Sequence, residues 1–139
     1  LIGIVQYFSG KKEIAFSTWK KDLIISAQRM NKDGMIKLHT NLGAAYILQS
    51  KYVLAKEELE QAYILYQKFK VSPMTHKPLI YNLLLIYNIL GDTPKRDKLF
   101  TEAYFGNLSS YYNQLISSSH IITTDDYWPL QFNHVFFNY

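Results

Sequence analysis

The sequence predicts an all-α fold, a solenoid of stacked antiparallel helical hairpins, and three observations carry that prediction. A loose copy recurs about every forty residues: Ile2-Gly3, Leu42-Gly43 and Leu83-Leu84 each sit in the first half of an apolar stretch, followed by a short polar turn and a second apolar stretch. Within the stretches the apolar positions keep helical spacing. The composition, 48% apolar and 19% charged over 139 residues, supplies a core for one compact domain. In such a stack no unit buries its apolar face alone, and neighbours close one continuous core.

The first unit spans about residues 1–32, with the apolar run from Leu1 to Phe8, the turn at Gly10 and a second helix through Ala15 and Trp19. The second, about 36–70, is the cleanest. Ile36, Leu38, Leu42, Gly43, Ala45, Tyr46 and Leu48 follow a helical period, Gln49-Ser50-Lys51 breaks it, and Ala55, Leu59, Ala62, Tyr63, Leu65, Tyr66 and Phe69 resume it. There Lys56, Glu57, Glu58, Glu60 and Lys68 fall on the other faces, so the second helix is amphipathic. The third unit, about 77–105, carries Leu83, Tyr87, Gly91, Phe100 and Ala103 in register. Residues 107–139 read as degenerate terminal helices that cap the stack, one through Leu108, Tyr111, Tyr112, Leu115 and Ile116, another through Trp128, Phe132, Val135, Phe136 and Tyr139 with Pro129 in its first turn.

In the middle unit, His39-x2-Leu42-Gly43-x2-Tyr46 followed by Ala55-x3-Leu59 and Ala62 resembles the tetratricopeptide repeat, whose pattern is W-x2-L-G-x2-Y, A-x3-F and a further small residue. The resemblance implies a right-handed superhelix and covers roughly residues 1–105. His39 replaces a large apolar residue, and Gln67 stands where a closing proline is usual. In the third unit Leu84 and Arg96 replace small residues, which predicts two helices standing further apart; in the first, Asp22 does so. Gly3 to Gly43 is 40 residues and Gly43 to Leu84 is 41, against about 34 for the standard repeat. The extra length is expected in the second helices and the links after them, Gln28 to Asp33 and Lys70 to Lys77.

In the resembled family the first helix of each pair lines a concave, ligand-bearing side. The matching positions are Ile4, Tyr7 and Phe8, then Lys37, Thr40, Asn41, Ala44 and Ile47, then Tyr81, Asn82, Leu85 and Asn88. Such a lining, apolar with a few amides, implies a protein or peptide ligand with apolar anchors. Asn41 and Asn82 share a repeat position, and an amide row can hydrogen-bond a peptide backbone whatever its sequence; the plainer reading is that each bonds the neighbouring helix. The family's clamp for a terminal carboxylate is not expected, because Thr40 and Ala44 occupy the positions of its Lys and Asn.

The net charge is +4, and Lys11, Lys12, Lys51, Lys95 and Arg96 all fall at or just after the turns within units. Stacking aligns them along one edge, either a solvated rim or a surface for acidic partners, with nucleic acid the weaker expectation. Catalysis is not expected. The 4 histidines, His39, His76, His120 and His134, lack metal-ligand spacing, and there is no phosphate loop or nucleophile elbow. Asp125-Asp126 reads as a helix-start signal, and Asn107-Leu108-Ser109 matches a glycosylation acceptor with no secretory signal before it. With 0 cysteines, disulfides and thiolate metal sites are excluded. No metal or cofactor is expected.

No stretch approaches the ~18 consecutive apolar residues of a membrane span, so a cytoplasmic protein is expected. Leu1 begins mid-repeat without a methionine, from which the chain reads as the C-terminal part of a longer protein. The long repeat is similar to that of bacterial transcription regulators with helical-repeat sensor halves. The expected function is therefore a protein- or peptide-binding regulatory module, with structural self-association as a homodimer the alternative. The aromatic tail either caps the last pair or occupies the groove.

Overall fold

A computed structural model describes residues 2–69 and 77–104. It is all-α: six helices, α1 (Ile2–Phe8), α2 (Lys12–Gln28), α3 (Lys32–Leu48), α4 (Tyr52–Phe69), α5 (Lys77–Ile89) and α6 (Thr93–Tyr104). They pack as sequential antiparallel pairs, with α3 also touching α5 across one interval. The helices expected in residues 107–139, and the tail's role as cap or groove occupant, lie outside the described residues.

The repeat is written most plainly in the turns. Gly10 (φ 88°), Ser50 (φ 59°) and Gly91 (φ 73°) each take the left-handed conformation that ends the first helix of a pair. After each, the next backbone N–H reaches five residues back: Lys11 to Gln6 at 2.9 Å, Lys51 to Tyr46 at 2.9 Å and Asp92 to Tyr87 at 2.8 Å. The turn residue itself donates three residues back, to Tyr7, Ile47 and Asn88. These paired bonds are the Schellman arrangement, which satisfies carbonyls the helix would leave bare. Met30 (φ 54°) repeats the device between α2 and α3.

Close helix approach is set at equivalent positions. A Cβ on Gly3 would lie 2.2 Å from Trp19 Nε1, and one on Gly43 would lie 2.5 Å from Leu59 Cγ. Glycine is what lets each large side chain lie against the facing backbone. Ala15 and Ala55, both fully buried, do the same from the second helix. Leu84 stands in place of the third glycine, and Phe100 stays half-buried where Trp19 and Leu59 are fully buried. The third pair therefore packs less completely, and among the described side chains of α6 only Leu99 is buried.

One boundary differs from the sequence reading. The first helix of the middle unit starts at Lys32, not near Ile36, and the link after α2 shrinks to Arg29, Met30 and Asn31. Asn31 Oδ1 accepts the Gly34 N–H at 2.9 Å, a side-chain cap that lets Asp33-Gly34 form the first turn of the helix. The second helices α2 and α4, of 17 and 18 residues, are long, but so is the first helix α3, of 17; residues 70–76 of the link from Lys70 to Lys77 lie outside the described residues.

The core divides into two clusters that meet in α3. Leu38, Leu42, Ala44 and Ala45 pack with Ile4, Tyr7, Ala15 and Trp19 of the first pair. Ile36 and Ile47 join Leu59, Ala62, Leu79, Leu83, Ile86 and Leu99 of the later helices.

Candidate functional site

The residues expected to line a groove do lie on α1, α3 and α5, but most of their side chains turn into the protein, while Phe8 is exposed and Lys37 and Asn88 are half-buried. Ile4, Tyr7, Thr40, Asn41, Ala44, Ile47, Tyr81, Asn82 and Leu85 are all buried, Asn41 at 0% and Asn82 at 1% exposure. On α5 every residue from Pro78 to Tyr87 is buried. A helix apolar on nearly all faces is a core helix, and that is how α5 packs. Several polar members have internal partners: Thr40 Oγ1 donates to Ile36 O at 2.7 Å, Lys37 pairs with Asp33 one turn earlier, and Asn88 Oδ1 accepts from Arg96 Nη1 at 2.6 Å. His39 lies 2.7 Å from Glu58 Oε2, so it bridges α3 to α4 in place of an apolar side chain.

The expected basic edge is split. Lys95 Nζ contacts Glu60 Oε2 at 3.3 Å, and Arg96 contacts Asp97 at 3.3 Å as well as Asn88. This half borders a cleft of about 230 Å³ between α4 and α6, in which Tyr87 donates to Glu60 at 2.7 Å and Tyr63 to Glu102 at 2.5 Å. Burial first, then donation to an anionic carboxylate, pushes both phenols well above their usual range. Lys95 and Arg96 are thus each paired with a carboxylate.

The other half is not. Lys12 and Lys51 border a cleft of about 530 Å³ between α2 and the α3–α4 turn, joined by Lys20, Phe16, Tyr46 and Gln49. Lys12, Phe16 and Lys20 fall at i, i+4 and i+8, one stripe of α2. Phe16 and Tyr46, both half-buried, form the floor with ring centroids 4.9 Å apart. Lys12 Nζ sits 5.6 Å from the Tyr7 ring. Lys12, Lys20 and Lys51 form no ion pair among the described residues, and neither does Glu13 beside them. Reading the sequence for turn lysines misses Lys20 and the aromatic floor; the i, i+4, i+8 spacing along α2 was the available signal.

A third surface is apolar. Along α1, Gly3, Ile4 and Tyr7 face inward while Ile2, Val5 and Phe8, at i, i+3 and i+6, are 68%, 53% and 64% exposed. Ile14 on α2 is also open to solvent. Among the described residues no group of three or more His, Asp or Glu side chains is placed to hold a metal ion, and no helix is long and apolar enough to cross a membrane. Comparison with protein-family models, curated proteins and solved structures finds no match to this chain.

Proposed function

We propose that this chain is a protein- or peptide-interaction module of the tetratricopeptide type, the sensor or regulatory part of a bacterial transcription regulator. One observation carries the reading: the exposed apolar stripe of Ile2, Val5 and Phe8 on α1. Exposed apolar side chains aligned on one helix face mark a contact surface. Their arrangement supports recognition by shape and apolar burial.

A photo-crosslinking amino acid placed at Val5 in cells tests this. An adduct of defined mass that disappears on adding Phe8→Asp supports the reading. No adduct, or one equally strong from the exposed Ile64 on α4, refutes it. Crosslinking only to a second copy, with a mass that rises with concentration in light scattering, replaces it with self-association.

A further inference from the structure

We propose that the cleft between α2 and the α3–α4 turn docks an acidic peptide segment carrying one aromatic or large aliphatic anchor. This goes beyond the contact assigned to α1, because it uses a different surface and a different chemistry. The lysine ring and the aromatic floor demand different things of a ligand, and both demands must be met in one place. Among the described residues Lys12, Lys20 and Lys51 have no carboxylate partner, and what sets them apart from other such lysines is that all three line one depression. Three unpaired ammonium groups around one depression favour a ligand with several carboxylates.

Between them, Phe16 and Tyr46 offer half-buried ring surface that water covers poorly and that an inserted side chain would dry. A cleft of about 530 Å³ accepts one large side chain with its flanking backbone. Gln49 and Ser17, at its walls, supply donors and acceptors for that backbone.

The same features disfavour nucleic acid. A phosphate chain needs cations that continue along its path, yet the next two on this edge, Lys95 and Arg96, already contact Glu60 and Asp97. A short peptide with one anchor needs no such continuation.

The test uses the full chain and a fluorescein-labelled heptapeptide of three glutamates, a tryptophan and three glutamates, followed by anisotropy at low salt. Saturable binding is expected, weakened about tenfold by the Lys20→Glu/Lys51→Glu pair and less than about twofold by Lys98→Glu, an exposed lysine outside the cleft. Replacing the peptide's tryptophan by alanine should weaken it about fivefold. Since Lys20 and Lys51 are exposed, the variants keep their fold, which far-UV circular dichroism checks. No binding at low salt overturns the proposal, as does equal loss with Lys98→Glu or indifference to the tryptophan. Tighter binding of short single-stranded DNA that displaces the peptide overturns it in favour of nucleic acid. None of these outcomes bears on crosslinking at Val5, so the two readings fail separately.

Discussion

A methyl group added at Gly43 tests whether close helix approach organises this fold. An alanine Cβ there would lie 2.5 Å from Leu59 Cγ and 2.6 Å from its Cδ2, whereas carbon atoms rest about 3.5–4.0 Å apart. Leu59 is fully buried, and its Cγ is too near the backbone to swing aside, so α3 and α4 must separate by about 1 Å. Overpacking of this kind costs about 1–3 kcal/mol, and alanine's better helix propensity returns about 1 kcal/mol. Gly43→Ala should therefore destabilise by about 1 kcal/mol.

Leu59→Ala alone opens a cavity and should cost about 3 kcal/mol. Combined, the added methyl enters the space the leucine leaves, and the double variant should cost about 1–2 kcal/mol less than the two singles together. Urea unfolding followed by circular dichroism on all four proteins measures that coupling. Costs that add within about 0.5 kcal/mol, or a Gly43→Ala variant more stable than the parent, would refute the packing argument.

Other expectations follow from the turns, a cap and the phenols. Ser50 holds φ 59° where the equivalent turns use glycine, so Ser50→Gly should stabilise by about 0.5 kcal/mol and Gly91→Ala should destabilise by about 1 kcal/mol in the same urea assay. Asn31→Ala removes the acceptor of the Gly34 N–H and should cost about 1 kcal/mol, with amide exchange in the first turn of α3 accelerating most. Tyr87 has its phenol pushed above the usual value of 10.0 by burial and by its bond to Glu60. The folded chain then keeps a proton that the unfolded chain releases near pH 10, so this stabilisation is full below that pH and is lost as the pH climbs past it. Tyr87→Phe should flatten the alkaline decline of the urea midpoint, and an unchanged slope would contradict the assignment.

Much of the architecture was legible in the sequence because it depends on local period and on small residues. Gly43, Ala55, Leu59 and Ala62 mark the middle pair, and in the structure they form its contact. The start of α3 was not legible: Gln28 to Asp33 reads as a link until Asn31 is seen to cap a helix from Lys32. Asn41 and Asn82 were correctly seen to share a repeat position, but alignment along a helix does not say whether a stripe faces solvent or protein, and both are buried. The lysine cleft was half legible. Lys12 and Lys51 follow from the turns, while Lys20 joins them only once α2 is laid beside the end of α3, and Lys95 and Arg96 leave the set only when Glu60 and Asp97 are in place.

Because α3 contributes side chains to both core clusters, it has no boundary of its own along which to come loose. The first pair can part from it and leave Ile36 and Ile47 engaged; the last can part and leave Leu38 and Leu42 engaged. Proteins open locally in units that share few contacts with the rest. Amides along α3 should therefore exchange with solvent more slowly than those of α1 or α6, each of which belongs to one cluster alone.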